Sequence, residues 1–189
     1  MGLSRVLVLL GLFLLSACGG VTGPVNDTVS GWQLAETSVR FGPDISRTTS
    51  GNDYSANFVW NGLKDGNRKR QVVSLFRSSV DELAQEAMSG DRPVDVAIQI
   101  NYFHALTRFS RYFCCGYHTI EADLSFTDAE TGEVLAQGQD VSLGRIALGG
   151  MPALIAQEFG RTQFVRVKEG IVRNMRNWLA EQPPSPGPS

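Results

Sequence analysis

The chain is poor in the residue types that most metal and thiol chemistry requires. It holds two histidines, His104 and His118, and three cysteines, Cys18, Cys114 and Cys115. No C-x-x-C pair is present, so the mark of thioredoxin-like exchange is missing. No H-E-x-x-H helix, phosphate-cradling glycine loop or G-x-S-x-G elbow occurs either, which removes the usual signs of zinc proteases, nucleotide enzymes and esterases. Seventeen basic residues stand against 19 acidic ones, a formal charge of −2. That balance offers no basic stripe for nucleic acid. Long apolar runs are also lacking, with one exception at the start.

The exception is Val6 to Leu15, preceded by a single basic residue, Arg5. A run of this length after a short basic region reads as a signal peptide and is too short to span a bilayer stably. Leu15, Ser16, Ala17 and Cys18 then give the small-residue site of lipoprotein processing, in which the thiol receives diacylglycerol and the new amine is acylated. The expectation is cleavage before Cys18 and a membrane anchor made of acyl chains such as palmitate. Each buried CH₂ contributes about 0.8 kcal/mol, so two or more chains hold firmly where one does not. Gly19 lacks the aspartate that commonly signals inner-membrane retention, which points to the periplasmic face of the outer membrane.

Removal of residues 1–17 leaves 172 residues, enough for one domain with its own core. Residues 18–31 have few groups to bury and read as a lipidated flexible tether. Residues 182–189, with Pro183, Pro184, Pro186 and Pro188, read as a disordered, exposed extended tail, because proline lacks the amide donor a helix needs. Between them, residues 32–181 read as a single α+β periplasmic domain.

Its expected architecture is a two-layer sandwich, a mainly antiparallel sheet covered on one face by helices. Val94, Val96, Ile98, Ile100, Tyr102 and His104 share one parity, and Ile120, Ala122, Leu124 and Phe126 repeat the pattern. Such alternation predicts strands with one buried and one wet face. Asp128 to Gly132 supplies a turn into a third strand at Glu133–Val141, giving a meander. Trp32 to Phe41 predicts an opening strand, and Phe58 with Trp60 a short one. Three- and four-residue spacing predicts helices over residues 71–89 and 162–180, with a short helix near residues 152–159.

Phe103-His104-Ala105-Leu106-Thr107, Gly116-Tyr117-His118-Thr119-Ile120 and Thr131-Gly132-Glu133 together resemble an uncharacterised family of small exported proteins and lipoproteins from Rhodobacterales-type alphaproteobacteria. The resemblance covers roughly residues 32–180. It implies a domain of unknown function with a periplasmic address, and it transfers no catalytic residue.

The two histidines carry the remaining candidate chemistry. Each sits on the apolar parity of its strand, so a hairpin would bring them together at the sheet end beside Cys114 and Cys115. That set contains zinc-ligand types, but adjacent cysteines seldom point both thiolates into one tetrahedron. A Cys–His nucleophilic pair lacks a visible third residue or oxyanion site. The bland reading, partly buried structural histidines, is preferred, with no metal, cofactor or catalytic residue expected. His104, Arg111, Tyr112, Phe113 and His118 are the candidate ligand or partner surface.

Arg68-Lys69-Arg70 reads as a solvated run that would at most touch anionic lipid. The leading expectation is therefore a non-catalytic, lipid-anchored envelope protein with a binding or scaffolding domain and an envelope protein as partner. The first alternative is a lipid- or small-ligand-binding auxiliary protein whose rings, among them Phe58, Trp60, Tyr102, Phe103 and Tyr117, line an apolar cavity. Close packing of those rings would remove it. The second is a metal- or thiol-dependent enzyme.

Overall fold

Apolar residues at every second position need a sheet with one protected face, and the computed structural model builds it from two central strands. It describes residues 27–45, 56–60, 66–105, 115–148, 158–160 and 162–183. Strand β3 (Arg92–His104) runs antiparallel to β4 (Cys115–Asp128), from Val94 opposite Asp128 to His104 opposite Thr119. Strand β5 (Val134–Ser142) returns along the other side of β4, as the short turn requires.

Strand β1 (Trp32–Phe41) lies parallel to β3, a pairing not foreseen from the meander. Parallel neighbours need a long crossover. Here it contains strand β2 (Phe58–Val59) and helix α2 (Arg68–Ala87). Strand β2 extends the lane of β1, with Phe58 opposite Phe103. Strand β6 (Arg145–Leu148) extends the lane of β5, pairing with Cys115–His118 after a break at Leu143 and Gly144. Among the described residues, six strands thus fill four lanes.

The helices cover one face. Asn67 caps α2 by accepting the Arg70 amide at 3.1 Å, and Thr162 caps α3 (Gln163–Ala180) by accepting that of Val165 at 3.3 Å. Caps of this kind contribute about 1 kcal/mol. Helix α2 buries Val72, Leu75, Phe76, Val80 and Leu83; helix α3 buries Val167, Ile171, Met175 and Leu179. Between the two helices, Lys168 pairs with Glu82 at 2.5 Å, and Arg176 pairs with Glu86. The predicted sandwich, mainly antiparallel and covered on one face, is what the chain forms.

Packing begins ahead of the expected start at Trp32. The short helix α1 (Asp27–Ser30) carries Val29, which is buried, and Gly31 crosses Gly90 closely. The last residues assigned to a tether therefore belong to the packed unit. The expected short helix near 152–159 lies largely outside the described residues.

The parity of β3 changes partway along. A bulge between Ile100 and Tyr102 inserts Asn101, so Ile100 faces the helices but the next inward residues are Phe103 and Ala105. An extra residue in one strand turns every later side chain to the other face. Tyr102 and His104 consequently lie on the uncovered side, contrary to the parity read from the sequence.

Phe103 takes the place Tyr102 was assigned. It joins Phe58, Trp60 and Phe76, with ring centroids 5.7–6.2 Å from its own, and Phe41 meets Phe58 edge-on at 5.4 Å. Each fully buried large side chain contributes about 1.5–3 kcal/mol.

Candidate functional site

The uncovered face of the sheet is where polar side chains converge, and the bulges decide which ones. Asp123, on β4, stands between two irregularities: Asn101 in β3 and a widened stretch of β5 between Gly138 and Val141. Asp140 in that stretch has φ 47°, the left-handed region that aspartate tolerates better than most residues. Its conformation aims both its amide and its carboxylate at the neighbouring strand.

The result is a hydrogen-bonded cluster across three strands. Asn101 Nδ2 donates to Asp123 Oδ1 and to Asp140 Oδ1, each at 2.8 Å. The Asp140 amide donates to the same Asp123 oxygen at 2.9 Å. Gln99 Nε2 donates to Asp123 Oδ2 at 3.1 Å and to Asn101 Oδ1 at 3.2 Å. Gly42 lets the chain pass close over Asn101, since a Cβ there would stand 2.8 Å from Oδ1.

Beside this cluster lies a shallow depression of about 330 Å³, bordered by Arg40, Gln99, Asp123 and Gln139 and floored by Ser38, Ala97 and Ser125. Those three floor residues face one another directly across β1, β3 and β4. The arrangement offers amide and carboxylate groups to a polar partner. Among the described residues, no group of three metal-ligating side chains exists.

Of the predicted site residues, His104 and His118 are described, and they stand apart. His104 is half-buried on the uncovered face, stacked on Tyr102 with centroids 6.2 Å apart. His118 is buried on the helix side, opposite Arg145. The aliphatic part of Arg145 rests on Gly170 of α3, and its Nη1 lies 3.8 Å from Glu169. The two histidines thus occupy opposite faces, because the bulge turned one of them over. They cannot share a metal. Arg111, Tyr112, Phe113, Cys114 and Cys18 lie outside the described residues.

The ring-lined cavity also fails for the rings that are described. Phe58, Trp60 and Phe103 are close-packed core, Tyr102 is on the other face, and Tyr117 is half exposed. In the basic run, the Lys69 ammonium sits over the Phe41 ring at 5.0 Å, a cation–π contact that roots the run in the fold.

The Thr131-Gly132-Glu133 motif has a structural account. Arg92 Nε donates to Asp128 Oδ2, and Arg92 Nη2 to Glu133 Oε2, both at 2.6 Å. Asp128 Oδ1 accepts the amides of Glu130 and Thr131, at 3.0 and 2.8 Å. Gly132 supplies the positive φ of 75° that closes the turn. The Arg92 guanidinium, then the Thr131 amide, hold the Asp128 carboxyl far below the usual carboxylate range. The same contact raises Arg92 above its ordinary value.

Comparison with known proteins gives a family and remote folds. The model of a family of unknown function, DUF6778, matches residues 32–188. No curated protein matches. Among solved structures, a Xanthomonas campestris protein of the DUF330 family model is similar at 14% identity, over 84% of this chain and 90% of that one, with a TM-score of 0.41. A candidate lipoprotein from Caulobacter crescentus is similar at 15% identity, over 64% of this chain and 90% of that one, with a TM-score of 0.32.

Proposed function

Because the chain belongs to the DUF6778 family, whose function is unknown, we propose a role drawn from its own residues: a lipid-anchored envelope protein that acts by binding, not by catalysis. One observation carries the anchoring, the Leu15-Ser16-Ala17-Cys18 site directly after the Val6–Leu15 run. The eight residues between Cys18 and Asp27 reach at most about 28 Å when fully extended. The domain is therefore confined near the periplasmic face of its membrane, which raises its effective concentration for any partner held there.

Strand β4 has 14 residues, about 45 Å at the usual rise. Its Asp128 end lies beside the attachment point, so an upright domain carries the opposite end outward. The polar uncovered face, with the Asn101–Asp123–Asp140 cluster at its centre, is the surface offered to an envelope protein.

The test is metabolic labelling with palmitate and membrane fractionation of the wild type and Cys18→Ser. Wild type takes up label and sediments with membranes; the variant does neither. A variant that remains membrane-bound, or a wild-type mass without acyl chains, removes the proposal.

A further inference from the structure

The outer edge of the β5–β6 lane has a second concavity, away from the polar face. It is a groove of about 400 Å³ between that edge and α3, opened where the lane breaks at Leu143 and Gly144. Two rings border it. Tyr117 is 52% exposed and lies beside Gly144, where a Cβ would stand 3.0 Å from its Cε1. Trp178 is half-buried over Gly138, where a Cβ would stand 2.8 Å from the indole, and it packs on Phe126 with centroids 6.0 Å apart. A side chain at either glycine would crowd a ring.

The polar groups of the groove are held in place but not used up. Asn174 Nδ2 donates to the Gly144 carbonyl at 2.5 Å, which fixes the amide and leaves its Oδ1 as an acceptor. The Trp178 indole N–H, the Tyr117 hydroxyl and the side chains of Ser142, Asn177 and Glu181 have no hydrogen-bond partner among the described residues. The cluster on the uncovered face is the opposite case, since its amides and carboxylates bond to one another.

We infer that this groove binds a short saccharide, at a site separate from the polar face offered to an envelope protein. A sugar ring shows two chemistries at once, C–H faces that pack on flat rings and hydroxyls that each donate and accept. The groove presents both. Tyrosine and tryptophan give rigid contact area at low entropic cost, with a polar handle at one end. Trp178 only donates, Asn174 Oδ1 and Glu181 only accept, and Tyr117, Ser142 and Asn177 do both.

Other ligand classes fit worse. Among the described lining residues Glu181 carries the one charge, so an anion would meet repulsion with no cation to hold it. Val141 is the one aliphatic side chain there, too little to bury an acyl chain. The volume lies at the small end of ligand pockets, which suits a sugar of one or two rings.

Tryptophan fluorescence reads this site selectively. Of three tryptophans, Trp32 and Trp60 are 2% and 0% exposed, which leaves Trp178 to respond to a ligand. The experiment titrates the full chain, in a detergent without a sugar headgroup, with chitotriose and with cellotriose, which differ in the acetamido group. The expected result is a saturable blue shift with at least one of them. Tyr117→Ala and Asn177→Ala should each bind about fivefold more weakly, the loss of one contact. Both side chains are exposed, and a circular dichroism melt of each variant serves as the fold control. Tyr102→Ala, on the uncovered face, should bind like the wild type. Sedimentation with purified peptidoglycan sacculi or with lipopolysaccharide, compared between wild type and Tyr117→Ala, tells a cell-wall glycan from a lipid-borne one.

No shift with either trisaccharide, together with no Tyr117-dependent sedimentation, overturns the proposal. Wild-type affinity in a folded Tyr117→Ala or Asn177→Ala also overturns it, by placing the sugar elsewhere. An equal loss in Tyr102→Ala overturns it in favour of the polar face. Self-association that shields Trp178 without any response to sugar overturns it in favour of edge pairing with a second copy.

Discussion

The two ends of the sheet are secured by different physics. At the end where the chain enters the sheet, a close backbone crossing and an ion-pair clasp add to the Trp32–Phe126 ring contact. Gly31 and Gly90 cross closely, Gly90 donates to the Trp32 carbonyl at 3.0 Å, and Arg92 clasps Asp128 and Glu133. At the other end, five rings (Phe41, Phe58, Trp60, Phe76 and Phe103) lock the covered face, and past them β4 and β6 continue as a ribbon with Tyr117 and Ile146 exposed side by side. The first end depends on directional contacts that tolerate little displacement. The second depends on apolar area, which is non-directional and insensitive to charge.

The largest effect should come from the ring-packed end. Phe103→Ala removes the ring that touches three others, and truncations of this kind cost about 3–5 kcal/mol. Its neighbour Tyr102, on the uncovered face, should cost less than about 1 kcal/mol on the same change. Urea unfolding of the two variants decides it. Comparable losses would mean that the bulge does not separate them.

That pair also marks how far the sequence could be read. Alternation from Val94 to Ile100 and from Ile120 to Phe126 identified both central strands and their buried faces, because hydrophobic period directly reflects which side is dry. It failed at Asn101, where one inserted residue leaves composition and spacing unremarkable and still reverses the faces of Tyr102 and His104. The two histidines therefore looked like neighbours on one surface.

Other features were silent for different reasons. Arg145–Leu148 is too short to show a period, so β6 was invisible. The Asn101–Asp123–Asp140 cluster depends on two bulges aligning across β4, which no local pattern encodes. The hairpin after Asp128 was legible, because an acid, a glycine and a short loop are demanded locally by the turn.

At the Trp32–Arg92 end, Gly90→Ala should cost about 1–3 kcal/mol through overpacking. The added Cβ would run into the Gly31 carbonyl group, and backbone cannot swing aside as a side chain can. Amide exchange should then accelerate around Trp32 and Arg92 while the Phe103 region stays protected. Uniform loss of protection at both ends would show that they unfold as one unit and that the comparison has no energetic content.

The smallest effect at neutral pH, and the most selective, is titration. Arg92 and the Thr131 amide depress the folded-state Asp128 pKa, while the unfolded chain has a value near 3.9. A depressed carboxylate contributes stability that is complete above the unfolded value and is lost as pH falls toward the folded one. Stability should accordingly hold from pH 7 to about pH 5 and decline below about pH 4. Asp128→Asn keeps the shape but removes the charge that Arg92 requires, so its acid decline should be shallower than that of the wild type. Because the Phe103 cluster is held by apolar ring contacts and not by a carboxylate, acid should release the Asp128–Glu133 hairpin before it, as hydrogen exchange at pH 3 would resolve. An Asp128→Asn variant with the wild-type acid slope would assign that decline to other carboxylates and leave the hairpin held by its turn geometry alone.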